Sequence, residues 1–244
     1  MLSSDHIWAI RRANALDGRP IVKDIATRAS PTVLQCQLFV QQTSGWGGAP
    51  LVQRDLAHRL GVSQTPVRLG LTELARTGLV EVGANGRALV RSLTREDLEE
   101  LYAARLGLPG LAARVGAAMV GPSELDTMRS LLPELGALAE HGHLDRYLER
   151  RWQFHATCYR ASGRLRLLGE VERLFWRGER YHRLALSEVE HRRRAVATCG
   201  SFWEACARGD GADADAERII QTGLRWAVDL IAGSLPSEFE AVRT

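Results

Sequence analysis

The chain has 244 residues, 45% of them hydrophobic and 25% charged, with a formal net charge of +3. That length suits two domains with cores of their own, and no run approaches the roughly 18 apolar residues that a membrane-spanning helix needs. The opening MLSSDHIWAIRRANALDGRP carries charges where a secretory leader keeps its apolar region, so a soluble cytoplasmic protein is expected.

Cys36, Cys158, Cys199 and Cys206 show no CxxC spacing and are expected as buried thiols in a reducing compartment. Lys23 is the only lysine, so arginine abundance reflects composition more than function. The distribution of charge says more. Residues 1–32 carry net +2, residues 33–92 net +3 and residues 93–244 net −2. An anionic partner is therefore expected at the N-terminal third.

Residues 1–31 have no sustained periodicity and are read as an extension. Helical spacing begins near Val33, with Val33, Leu34, Leu38 and Phe39, and stops before the Gly-rich TSGWGGAP. A second helix fits Gln53–Leu60 and ends at Gly61, a C-cap glycine. Ser63 is the expected N-cap of a third helix, with Pro66 in its first turn, Val67, Leu71 and Leu74 inward and an end at Gly78. In LVEVGANGRALV the period changes, and Asn85-Gly86 between apolar runs signals a hairpin. Three helices and a hairpin over residues 32–92 predict a winged helix-turn-helix.

From residue 93 to about 236 the pattern is helical. Thr94 and Asp97 make a capping-box-like start. Further helices are expected over Pro122–Glu140, Leu144–Ala161, Leu165–Ser187, Glu188–Arg208 and Ala212–Ala232, with a kink or break at Pro109-Gly110. His141 and His143 fall in a loop. Short connections predict an antiparallel all-α helical bundle, followed by a tail at 237–244. The fold class is mostly α.

The stretch LAHRLGVSQTPVRLGLTEL has the logic of a helix-turn-helix. Ala57, Gly61 and Val67 allow two helices to cross closely, and Ser63, Gln64, Thr65 and Arg68 offer hydrogen-bonding groups at the front of the second helix. PLVQRDLAHRLGVSQTPVRLGLTELARTGLVE resembles the DNA-binding domain of GntR-type transcriptional regulators. The helical part resembles the FCD effector domain of the FadR subfamily in LTREDLEELYAARLGL, FHATCYRASGRLRLLGEVERLF and the ARGD before the last helix.

The first resemblance implies DNA contacts by Arg54, Ser63, Gln64, Thr65, Arg68 and the wing Asn85-Gly86. Gln64 stands where the family more often has Arg, and Gln pairs well with adenine. Leu69 and Gly70 replace the usual Glu-Ala. The second resemblance implies a pocket for a small organic acid beside a metal held by an Asp-x-x-x-His pair and two later histidines. Here Arg151 and His155 occupy the pair, Cys199 stands at the next histidine, and Gln221, Thr222 and Gly223 stand near the last. A family-type metal is therefore not expected, so no cofactor is expected. Zinc on His155, Cys158 and Cys199 is chemically allowed, but no spacing selects it.

Arg151, with Arg105 on the first bundle helix, is the expected seat of an anionic effector, alongside His155 and Cys199. Trp152 and Tyr181 are candidate cavity walls. The functional expectation is a homodimeric regulator, a repressor by preference, on a double-stranded operator. The alternatives are an enzyme built on the helical domain and a ligand-insensitive DNA-binding protein. No nucleophile-base pair, phosphate loop or HExxH supports the enzyme.

Overall fold

The computed structural model describes residues 31–42, 47–76, 78–83, 87–209 and 213–234. The chain divides into two units between Leu93 and Thr94. The expected extension at 1–31, save Pro31, and the tail at 237–244 lie outside the described residues, as do Asn85 and Gly86.

The first unit contains α1 (Pro31–Gln42), β1 (Pro50–Leu51), α2 (Gln53–Leu60), α3 (Gln64–Arg76), β2 (Val80–Val82) and β3 (Ala88–Val90). Helix α2 ends because Gly61 adopts φ 66°, which only glycine takes without strain. The Val62 N–H then reaches back to the Ala57 carbonyl at 3.1 Å and closes the turn. Helix α3 begins directly after Ser63, with Pro66 in its first turn. It ends at Arg76, two residues short of the expected Gly78.

Of the described side chains of α1, Cys36 and Val40 lie deepest, positions that its apolar spacing does not single out. Cys36 and Val40 are buried, while Val33 and Phe39 are only partly so. The cause lies on α3. Gly70 has no side chain, and a Cβ there would lie 3.2 Å from the Cys36 sulfur and 3.5 Å from the Val33 Cα. The helices meet at that notch, which turns Cys36 and Val40 inward against Val67, Leu71 and Leu74.

The wing is a three-stranded antiparallel sheet in the order β1-β3-β2, with Leu51 opposite Ala88 and Val80 opposite Val90. Strand β1 comes from the expected loop. Two residues are too short to show alternation. They are anchored from outside by the Gly48 N–H to the Val90 carbonyl and the Val90 N–H to the Ala49 carbonyl, both 2.8 Å.

The second unit comprises α4 (Arg95–Ala117), α5 (Pro122–His141), α6 (Leu144–Ala161), α7 (Leu165–Arg177), α8 (Glu179–Ala185), α9 (Val189–Ala207) and α10 (Asp213–Ser234). Thr94 caps α4 by accepting the Asp97 N–H at 3.1 Å. Helix α4 runs on through Pro109-Gly110 instead of breaking there. Pro109 removes one backbone hydrogen bond. The adjacent Gly110 in turn lets α10 pack closely, since a Cβ would lie 3.0 Å from Gln221 and 3.3 Å from Glu217.

The expected single helix over Leu165–Ser187 is split at Gly178, whose N–H closes α7 on the Leu174 carbonyl. His141 ends α5 instead of lying in a loop, and His143 precedes α6; both are exposed. The buried Arg192 of α9 binds the carbonyls of Ala139, Leu186 and Ser187 at 2.6–2.8 Å, tying the α8–α9 turn to the end of α5.

Helix α4 also meets α6 at a glycine. A Cβ on Gly116 would lie 2.3 Å from the Cys158 carbonyl oxygen, a backbone atom that cannot swing aside. Gly116→Ala is expected to destabilise the helical unit by about 2–3 kcal/mol, as overpacking against fixed neighbours does. Urea unfolding of the purified variant measures this, and an unchanged midpoint would contradict the tight crossing.

Candidate functional site

In the first unit, Arg54, Ser63, Gln64, Thr65 and Arg68 are all exposed. Arg54 sits in the first turn of α2, with its guanidinium 3.6 Å from the Asp55 carboxylate and largely in solvent. Thr65 lies opposite Val67, Leu71 and Leu74 on α3, Arg68 flanks that outward side, and Gln64 is exposed as the first residue of the helix. The helix therefore offers a polar first turn free of bulk, as a helix entering the major groove requires.

The second unit has a cavity bounded by α4, α6, α7, α9 and α10. Arg105, Arg151, Trp152, His155, Tyr159, Phe175 and Thr198 are among its walls. Its free space is about 40 Å³, room for a few waters. Arg105 and Arg151 come from helices remote in sequence and face the same space.

Arg105 is 3% exposed and its guanidinium lies 4.7 Å from the Tyr102 ring centre, a cation–π contact. Its Nε and Nη1 find no hydrogen-bond partner among the described residues, nor does the Arg151 Nε. The groups acting most strongly on the two guanidiniums are phenols, a thiol and, for Arg105, the other arginine. Burial, with added repulsion from Arg151, pulls the Arg105 guanidinium below its ordinary value. Buried charges left this way are costly, and an anion accepting those N–H groups relieves the cost.

His155 stacks on Tyr159 at 6.0 Å, and its Nε2 is 3.8 Å from the Cys199 sulfur. Cys199 thus reaches the site through His155. Trp152 lines the cavity. Tyr181 does not, since its hydroxyl donates to the Thr94 carbonyl at 3.2 Å.

His182 escapes sequence reasoning. It lies on α8, 3% exposed, 4.9 Å from the Phe175 ring, with neither ring nitrogen bonded among the described residues. No spacing marks it, because its position follows from the break at Gly178. Burial and the nearby charge of Arg151 hold His155 well below its ordinary pKa; burial and the charges of Arg105 and Arg151 do the same to His182.

The donors do not fit the metal of the resembled family. Arg151 brings a cation where the carboxylate belongs. Cys158 turns toward Cys206, sulfur to sulfur 3.8 Å, and toward the Ala113 carbonyl. Among the described residues no group of three or more His, Cys, Asp or Glu is placed to hold a metal ion. None of the described helices is long and apolar enough to cross a membrane.

The first unit is a winged helix-turn-helix, and the second is an all-helical unit whose pocket sets two arginines among largely apolar walls. Residues 100–220 match the FCD domain model. The "Probable D-xylose utilization operon transcriptional repressor" of Paenarthrobacter nicotinovorans is 34% identical over 121 residues, covering 50% of this chain and 53% of that protein. The regulator McbR of Escherichia coli K12 is 27% identical over 130 residues, covering 53% and 59%. The solved structure of E. coli McbR/YncC superposes with a TM-score of 0.70 at 19% identity over 84% of this chain and 99% of that one, a likeness of fold. The chain spans little more than half the length of the two curated relatives it matches. It belongs to the GntR family of transcriptional regulators and carries an FCD domain. Both curated relatives are transcriptional regulators by their printed names.

The two buried imidazoles make stability depend on pH. Their folded pKa values lie below the ordinary 6.5, so the unfolded chain binds more protons as pH falls. The stability of the neutral buried form is complete above 6.5 and is lost as pH drops through the folded values. The melting temperature is expected to fall between about pH 7 and about pH 5. His155→Gln and His182→Gln should each flatten that profile. A slope identical in all three proteins would contradict the assignment.

Proposed function

We propose that the protein is a cytoplasmic, homodimeric repressor whose grip on a two-fold symmetric operator is set by a small organic anion in the helical unit, bound without a metal cofactor. One observation carries the effector reading: the buried Arg105 and the half-buried Arg151, both with unbonded N–H groups, face one cavity. A planar carboxylate offers each guanidinium two acceptor oxygens. Arg151 takes up the attraction for carboxylate that a metal would supply, and Arg105 meets the same ligand from α4. His155 supplies a neutral ring nitrogen to its polar end, with Cys199 behind it. The small free volume favours a compact acid. Repression is the mode of one relative, by its name.

The DNA reading rests on the exposed Arg54, Ser63, Gln64, Thr65 and Arg68; the wing Asn85-Gly86, assigned to DNA contact with them, lies outside the described residues. One winged helix makes too few base contacts for tight binding, so two are expected to act on two half-sites. Gln64 meets a base edge and Arg68 mainly the phosphates.

Selection from random duplexes should enrich a two-fold palindrome. Gln64→Arg should exchange an adenine for a guanine within it. Arg68→Ala should weaken binding to every duplex and lower the slope of log affinity against log salt by about one for each phosphate that Arg68 neutralises. An identical selected motif for wild type and Gln64→Arg would refute base reading by Gln64.

The effector reading has a separate test. At a hundredfold excess over Kd, the right small carboxylate from a panel running from acetate to succinate should raise the melting temperature by about 5–10 °C. Arg151→Ala should abolish the gain. Elemental analysis finding one tightly held metal per chain, or an unchanged response in Arg151→Ala, would overturn it.

A further inference from the structure

Helix α3 turns Gln64, Thr65, Arg68, Leu69 and Thr72 outward. Four of these carry hydrogen-bonding groups. Leu69 does not, and it is 62% exposed. A lone exposed leucine ordinarily calls for no explanation; here its position does.

The rotation of α3 about its axis is set by the notch at Gly70, where the Cys36 sulfur fits. With Gly70, Val67, Leu71 and Leu74 facing inward, Leu69 falls about 30° from the centre of the outward stripe at ~100° per residue. Its neighbours one turn away are Thr65 and Thr72. The Thr72 hydroxyl is turned back onto the Arg68 carbonyl at 2.9 Å. Leu69, with the Thr72 hydroxyl turned away, therefore leaves an apolar spot on the second turn beside Arg68.

Within the major groove the C5 methyl of thymine is the apolar group that base pairs present. We propose that Leu69 is a specificity-determining residue that packs against a thymine methyl, so that each operator half-site carries an A·T pair where the second turn of α3 crosses the groove. Gln64 and Arg68 mark the polar steps beside it. This rests on α3 being the DNA-reading helix of the proposed function.

The test uses the full chain and its selected duplex, with each thymine replaced in turn by uracil, which lacks only the methyl. At one position per half-site, uracil should weaken wild-type binding about fourfold, the value of one buried methyl group. Leu69→Ala should bind the thymine and uracil duplexes equally. Its melting temperature and salt slope should match wild type, since the substitution removes an exposed side chain and keeps a good helix former. Tolerance of uracil at every position by the wild type would overturn the proposal. So would a uracil penalty that persists in Leu69→Ala, because another group would then read the methyl. If no duplex is enriched at all, α3 is not a DNA-reading helix, and the DNA reading falls together with this one.

Discussion

The helical unit is organised around the burial of one guanidinium. Arg105 projects from the middle of α4 into the space that a side chain at position 178 would fill, 2.6 Å from where that Cβ would stand. Gly178 is the accommodation. It closes α7, allows a new helix to start at Glu179 and so brings His182 inward beside Phe175. The break at Gly178 and the burial of His182 thus go together. The guanidinium is held by the Tyr102 face, and two of its nitrogens have no hydrogen-bond partner among the described residues.

Arg192 shows what a structural buried arginine looks like in the same unit. Its N–H groups are directed at three carbonyls, at a helix end and a turn, and its charge is met by aligned peptide dipoles. Arg105 and Arg151 have no comparable set. Two cations facing one small space with neutral imidazoles beside them form a site whose electrostatics are incomplete in the protein alone. In the proposed reading, an anion bound there would alter the balance among α4, α6 and α8 together, because Arg105, Arg151 and His182 act on one another electrostatically. Coupling of this kind is the physical requirement for a ligand to bias one arrangement of helices over another.

In the first unit a glycine again sets geometry, by a different route. Gly70 admits the sulfur of α1 and thereby fixes which side of α3 faces out. The exposed set on α3 follows from that contact, so packing at the back of the helix determines what the front presents. Gly61 acts locally instead, since its positive φ is needed to turn the chain between α2 and α3 whatever packs nearby.

Much of this was legible in the residues themselves. Gly61 after an apolar-patterned helix, Pro66 at the front of the next and Thr94 before Asp97 each act within a few residues, so local chemistry was enough to place the turn and the caps. The change from helical to alternating spacing after Gly78 was enough to announce the wing. Arg105, Arg151 and His155 were picked out by a family resemblance in their surroundings, but only the fold brings α4 and α6 to one cavity. What the sequence could not determine depends on contacts between distant segments. The two-residue strand β1 exists only because Val90 offers it partners. Pro109 stays inside a helix because α10 packs against Gly110. The inward face of α1 is chosen by Gly70, thirty-odd positions away in the chain. Gly178, where α7 stops, leaves room for Arg105 from α4. Each of these is a steric or hydrogen-bonding decision made between residues far apart in sequence, and local pattern carries no record of it.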